Sequence, residues 1–147
     1  MFKRLKKFAG LVQGPSEFWL FLRIGAWILL ITILLRLASL QNLMRIITPS
    51  SPAPKKYPRD KIVNFISFWL GREKLFLQRG CLKRSLVLYR YLRLQSEPVC
   101  FCLGIRKENE ELRGHAWLTL DRQPVLPEDD LNYRLIFTYP GETPGQG

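Results

Sequence analysis

Two side chains of this sequence have the types and settings that nucleophilic catalysis requires, Cys81 and His115. Cys81 follows Gly80 at a predicted helix start, where free N–H groups and the positive end of the helix dipole favour the reactive thiolate. His115 is the only histidine and begins a predicted strand after Gly114. A neutral imidazole there can take the thiol proton and later protonate a leaving amine. The alternatives are a small, buried apolar cysteine and a histidine that caps a loop.

Two helices are predicted around Cys81. Apolar residues recur at helical spacing over 62–77, and we expect Gly71 to end the first part of this segment. A second helix is predicted over 82–94, with Gly80-Cys81 at its start. This helix would present leucines on one side and lysine or arginine on the other.

From Pro98 onward the apolar period changes to two, which is typical of strands. The predicted strands are 99–105, 115–120 and 133–139, with a short returning segment at 125–126. We expect a polar loop over 106–113 and a turn over 121–124. Helices followed by an antiparallel sheet of three or four strands indicate the α+β class.

Composition divides the chain into four parts. Residues 1–47 form a basic, apolar helical segment, and residues 48–60 contain four prolines, which is typical of an extended, semi-stiff linker. Residues 61–140 are predicted to form a compact domain. The Gly- and Pro-containing tail, residues 141–147, is predicted to be flexible.

The positive charge is concentrated in the first part of the chain. Residues 1–61 contain 11 lysines and arginines against 2 acidic residues, Glu17 and Asp60, which gives +9 of the total charge of +11. This asymmetry indicates an anionic membrane surface or an acidic partner for that segment. A nucleic-acid partner is not predicted, because no zinc-finger spacing or RNA-binding signature is present.

The segment 18–40 is almost wholly apolar but contains Arg23 and Arg36. A membrane-spanning helix needs about 20 apolar residues, and this length is reached only when both arginines are included. Two interpretations stay open, a spanning helix and a helix that is buried or lies on a membrane surface. The second allows a cytoplasmic protein with membrane association through residues 18–40.

Three cysteines, Cys81, Cys100 and Cys102, do not form the even set typical of a secreted disulfide framework. We therefore expect reduced thiols in the cytoplasm. Together with His115 they would make a set of zinc ligands, although their spacing matches no common zinc finger. We expect no metal and no cofactor.

The order of a cysteine helix, a strand and a histidine strand is that of the papain and transglutaminase-like group. The segments Cys81-Leu-Lys-Arg-Ser-Leu-Val-Leu, Gly104-Ile-Arg-Lys and Gly114-His-Ala-Trp-Leu resemble the transglutaminase-like leader peptidases of lasso-peptide biosynthesis. The resemblance covers roughly residues 60–139 and extends loosely to the segment that begins at Phe18-Trp-Leu. It implies that residues 61–140 form a papain/transglutaminase-like cysteine peptidase domain, preceded by the apolar helical segment.

The resemblance also implies a function. Members of that family remove the leader of a ribosomally made precursor peptide, after which a separate, ATP-dependent lasso cyclase closes the ring. Cys81 would be the nucleophile and His115 the base. The leader-recognition module is often a separate protein, and we expect such a partner here. A non-catalytic, membrane-associated binding module of the same fold is the alternative, and transfer of the acyl group to an amine would use the same two residues.

A third, acidic residue is implied by the resemblance. If the strand that begins at His115 pairs back across the turn at 121–122, Glu128 or Asp129 lies opposite the histidine. We favour Asp129 as the acid, with Glu128 and Asp121 as alternatives. The backbone N–H of Cys81 is the expected oxyanion donor, and the side chain of Gln78 is a weaker second candidate.

Overall fold

The computed structural model describes residues 2–51, 53–54, 57–70, 77–126 and 132–140. Within these ranges the chain forms five α-helices and one four-stranded antiparallel sheet, so the α+β prediction is confirmed. The helices are α1 (Phe2–Leu11), α2 (Pro15–Leu37), α3 (Leu40–Ile47), α4 (Arg59–Leu70) and α5 (Leu77–Leu94). The strands are β1 (Cys100–Glu108), β2 (Glu111–Leu120), β3 (Gln123–Pro124) and β4 (Arg134–Tyr139), in the sheet order β3-β2-β1-β4.

The helix that carries Cys81 starts earlier than predicted. α5 begins at Leu77, so Cys81 is its fifth residue and the expectation that Gly80-Cys81 opens the helix is wrong. A glycine inside a helix costs only about 1 kcal/mol, which packing of the helix can offset. Gly80 therefore does not mark the boundary.

The polar segment 106–113 is not a loop. β1 and β2 continue as a ribbon until Glu108 pairs with Glu111, and the two turn residues, Asn109 and Glu110, have φ of 49° and 66°. Positive φ at both central residues is the geometry of a tight hairpin turn. The prediction failed because ladder hydrogen bonds join backbone groups and need no apolar side chains on an exposed ribbon.

One hydrophobic core includes the N-terminal helices. α2 packs against α4 and α5, and α3 packs against α5. Phe21, Ile24 and Ile31 of α2 are buried in this core. Phe21 stacks on Trp69 of α4 with 4.9 Å between ring centroids, and the Trp69 indole N–H donates to the Phe21 carbonyl at 2.9 Å. The segment boundaries drawn from composition stay a prediction, but α2 and α3 pack in the same core as the rest.

α2 has the length and composition of a membrane-crossing helix, which a core helix or a signal sequence can share. One side of the helix is buried in the core. The other side exposes large apolar residues, including Trp19 at 63%, Leu29 at 64% and Leu37 at 79% of their surface. The structure is therefore compatible with two roles for α2, a membrane anchor and a core helix.

Candidate active site

α5 and β2 bring Cys81 and His115 together. The Ser85 hydroxyl on α5 donates a buried hydrogen bond of 3.0 Å to the Ala116 carbonyl on β2, which ties the helix to the strand. Cys81 lies four residues before Ser85, hence one turn away on the same face of α5. His115 directly precedes Ala116, and its side chain forms a hydrogen bond with the Cys81 thiol.

The surroundings of Cys81 promote its ionisation. Burial alone would raise the pKa of the thiol, because it disfavours the thiolate. Hydrogen bonds from the His115 side chain and the Ala116 backbone, with the charges of His115 and Arg84, outweigh burial and lower the pKa below its usual value. The pKa of the Cys102 thiol is shifted in the opposite direction, because burial raises it. The structure thus distinguishes Cys81 from Cys102 by environment.

The imidazole of His115 belongs to an aromatic cluster that also contains Trp117 and Tyr133. The ring centroid of His115 lies 5.8 Å from that of Trp117, with an interplanar angle of 16°, and 5.2 Å from that of Tyr133. The guanidinium of Arg106 lies 4.5 Å from the centre of the Tyr133 ring. Contacts with the neighbouring rings of Trp117 and Tyr133 restrict the rotation of the imidazole and keep it near Cys81.

Gly104 makes room for this aromatic cluster. It pairs with His115 across the β1–β2 ladder. A Cβ atom at this position would lie 2.7 Å from the Cβ of Tyr133 and 2.9 Å from the Trp117 ring, closer than side chains pack. The absence of a side chain at Gly104 is therefore what lets both rings approach β1 beside the imidazole.

The acid of the proposed triad is not assigned by the described residues. Asp121 and Arg122 form the turn between β2 and β3, with φ of 53° and 67°. Asp121 follows His115 by six residues of extended strand, about 20 Å, so its carboxylate cannot orient the imidazole in this structure. Glu128 and Asp129 lie outside the described residues.

The oxyanion donors also remain predictions. In a continuous helix the N–H of the fifth residue pairs with the carbonyl of the first, so the Cys81 N–H would have to be released from Leu77 to bind an oxyanion. Gln78 lies in the first turn of α5, but its side chain is outside the described part of the structure.

The structure does not bring the four residues of the zinc alternative together as one set of metal ligands. Cys81, Cys100, Cys102 and His115 are all described, and among the described residues no group of three or more His, Cys, Asp or Glu side chains could hold a metal. The register explains why. Cys100 pairs with Thr119, four residues along β2 from His115, which corresponds to about 13 Å.

Three residues that shape the site were not predicted from the sequence to do so: Ser85, Gly104 and Tyr133. Ser85 had a usable signal, because it follows Cys81 by one helical turn. Gly104 interrupts a strand, and an isolated glycine in a strand often marks a close approach of other groups. Tyr133 had no local signal, since its contact with His115 depends on how β4 pairs with β1.

The arrangement supplies a thiol of lowered pKa and an imidazole in hydrogen-bond contact with it. Such a pair can attack a carbonyl and protonate the group that leaves, which is the chemistry of acyl transfer. Water and an amine are equally suitable acceptors for this pair of groups.

Comparison with curated proteins and with solved structures found no match. The sequence of residues 27–138 does match a family, described as Transglutaminase-like superfamily. The match starts within α2, reaches into β4 and includes both Cys81 and His115. Because it covers 112 of the 147 residues, the chain belongs to the transglutaminase-like superfamily.

Proposed function

We propose that this protein is a cysteine peptidase that removes the leader from a ribosomally made lasso-peptide precursor. The proposed peptidase chemistry is supported by the hydrogen bond from His115 to Cys81, whose thiol has a lowered pKa. The substrate part is supported by the resemblance of the segments that begin at Cys81, Gly104 and Gly114 to lasso leader peptidases.

The proposed reaction begins when the Cys81 thiolate attacks the scissile carbonyl carbon and forms a tetrahedral intermediate. The C–N bond then breaks, and the His115 imidazolium gives its proton to the departing amine. His115 next accepts a proton from water, whose oxygen attacks the thioester carbon. The C–S bond then breaks, which restores the Cys81 thiolate and releases a carboxylic acid that loses its proton to solvent. Asp129 is our first candidate for the carboxylate that orients the imidazole, ahead of Glu128.

The substrate and partners follow from the same resemblance. A separate leader-recognition protein would deliver the precursor, and an ATP-dependent cyclase would use the new N-terminus after cleavage. Hydrolysis is preferred here to transfer onto an amine because the resemblance is to peptidases. Neither a metal nor a cofactor enters this chemistry.

We further propose a cytoplasmic location with peripheral membrane association through residues 18–40. Phe21, Ile24 and Ile31 of α2 are buried in the core. A spanning α2 would withdraw these side chains from α4 and α5 and expose what they cover. A single span with the basic N-terminus inside would also separate Cys81 from a cytoplasmic precursor.

Precursor processing tests the proposal. The cognate precursor and its leader-binding protein are incubated with wild type, Cys81→Ala, His115→Ala and the control Cys100→Ser, and the products are identified by mass spectrometry. We expect leader release by wild type and Cys100→Ser, loss of at least about 10³-fold for Cys81→Ala, and about 10²–10⁴-fold for His115→Ala.

Omission of the leader-binding protein tests the partner. Efficient cleavage by this chain alone would contradict the predicted dependence. If wild type binds the precursor as tightly as Cys81→Ala but neither releases a leader, the non-catalytic binding module replaces the peptidase proposal.

A further inference from the structure

A cavity lies away from the Cys81–His115 pair. It has a volume of about 870 Å³, is half open to solvent, and is lined mainly by α2, the C-terminal half of α5 and the described residues near Tyr57. Its wall includes Arg90, which follows Cys81 by nine residues of helix, or about 14 Å along the axis. Neither Cys81 nor His115 lines it. The cavity is therefore separate from the candidate active site.

Hydrogen bonds hold the wall of the cavity that contains Ala53 and Tyr57. The Gln95 side chain, only 7% exposed, accepts from the Tyr57 N–H at 2.7 Å and donates to the Tyr57 carbonyl at 3.0 Å. The Ala53 N–H donates to the Leu94 carbonyl at 2.7 Å. These bonds hold Ala53 and Tyr57 against the end of α5.

The cavity is cationic. Arg23 and Arg90 line it, and no acidic side chain does so among the described residues. The acidic residues closest along the chain are Glu17, Asp60 and Glu97. Glu17 pairs with Lys61 and Glu97 with Arg59, and Asp60 is exposed and does not line the cavity. An anionic group is therefore the charge complement of the cavity.

Two contacts hold the Arg90 side chain in position. Its guanidinium lies 3.7 Å from the centre of the Trp27 ring, and its Nη1 donates to the Ile47 carbonyl at 2.9 Å. Its Nε is buried and hydrogen bonds to no group within the described ranges. Arg90 lines the cavity, and a guanidinium held in one position favours an oxyanion such as a phosphate diester.

An apolar stripe on α2 continues outward from the cavity. Trp19 lines the cavity and is 63% exposed, and exposed apolar residues follow it at helical spacing. These are Leu22, Leu29, Leu30, Ile33 and Leu37. A ligand with an anionic head and apolar chains would match the cavity and the stripe together.

We propose that this cavity binds the headgroup of an anionic phospholipid while the acyl region contacts the apolar stripe of α2. Arg23 and Arg90 contact the phosphate, and Trp19 lies at the boundary between headgroup and acyl chains, where tryptophan is favoured. The site would make the proposed peripheral association specific for anionic lipid. It does not depend on the peptidase chemistry.

Vesicle binding tests the site by comparing two variants of α2, each of which removes one positive charge. Arg23 and Arg36 are both exposed on α2, but only Arg23 lines the cavity. Cosedimentation is measured with vesicles of phosphatidylcholine containing 30% phosphatidylglycerol, and with phosphatidylcholine alone. We expect Arg23→Gln to weaken binding to the anionic vesicles by about fivefold or more, and Arg36→Gln to have a clearly smaller effect. Equal effects of the two changes would overturn the site, since general attraction to the surface would explain both.

A soluble ligand identifies the chemistry that is bound. Intrinsic tryptophan fluorescence is titrated with dihexanoyl phosphatidylglycerol, dihexanoyl phosphatidylcholine, inorganic phosphate and a glutamate-rich peptide. Saturable binding of the phosphatidylglycerol alone, reduced in Arg23→Gln, supports the proposal. Equally tight binding of inorganic phosphate or the acidic peptide overturns it in favour of that ligand. Unchanged Cys81 alkylation in Arg23→Gln would show that the result is independent of the peptidase assignment.

Discussion

The Cys81 thiol is half-buried, and its ionisation depends on the groups that surround it in the structure. His115 and the Ala116 N–H supply the hydrogen bonds that reverse the effect of burial on its pKa. Trp117 and Tyr133 in turn restrict the imidazole. The residue types of Cys81 and His115 could be recognised in the sequence. The role of Tyr133 could not, because it is created by the pairing of β4 with β1.

Gly104→Ala should disturb the aromatic cluster. The new Cβ would meet the Tyr133 Cβ and the Trp117 ring at 2.7 and 2.9 Å, and overpacking of this kind costs about 1–3 kcal/mol. We expect a lower free energy of unfolding in urea and slower alkylation of Cys81. Gly114→Ala is the matched control, because its Cβ would meet nothing closer than the Gly104 carbonyl at 3.8 Å. Equal losses in the two variants would contradict this role of Gly104.

At the scale of the elements, the position of α5 on β2 determines the site. The Ser85–Ala116 hydrogen bond lies one turn from Cys81, so the same helix face makes the structural and the chemical contact. Periodicity predicted α4, α5, β1, β2 and β4, but it placed the returning strand at 125–126, whereas β3 is Gln123–Pro124. It could not predict the start of α5, because tolerance of Gly80 is decided by packing, nor the β1–β2 ribbon, whose exposed end has no apolar pattern.

A close helix contact gives a second stability prediction. Gly25 of α2 lies against Trp69 of α4, and a Cβ at Gly25 would lie 2.6 Å from the indole ring. Alanine normally stabilises a helix relative to glycine by roughly 0.5–1 kcal/mol, but here overpacking should dominate and Gly25→Ala should destabilise by about 1–3 kcal/mol. Thermal and urea unfolding measure the change. Gly10→Ala, with no atom within 4 Å of its Cβ, serves as control and should be neutral or slightly stabilising; a stable Gly25→Ala variant would refute the contact.

The whole molecule combines a basic N-terminal part with an apolar helix that is buried on one side. Residues 1–61 carry most of the net charge, and α2 exposes its other side. The sequence showed this asymmetry of charge. It could not show that α2 shares the core with α4 and α5, because a spanning helix and a core helix have the same composition.

The proposed peripheral attachment predicts the behaviour of the protein in membrane fractions. Because α2 contributes Phe21, Ile24 and Ile31 to the core, washing at high pH should release the protein from membranes of the cells that express it. Immunoblots of pellet and supernatant provide the measurement. A resident spanning protein serves as the pellet control, and retention of this protein with that control would contradict the peripheral assignment.

The most direct test of the Cys81–His115 pair is the pH dependence of iodoacetamide alkylation at Cys81, resolved from Cys100 by peptide mass spectrometry. The lowered pKa of Cys81 means that its thiolate forms at lower pH than that of an ordinary thiol. We predict a correspondingly early rise in its alkylation rate, and a shift of this rise to higher pH in His115→Ala. A Cys81 that reacts no faster than Cys100 at neutral pH, with a profile unchanged by His115→Ala, would contradict the account.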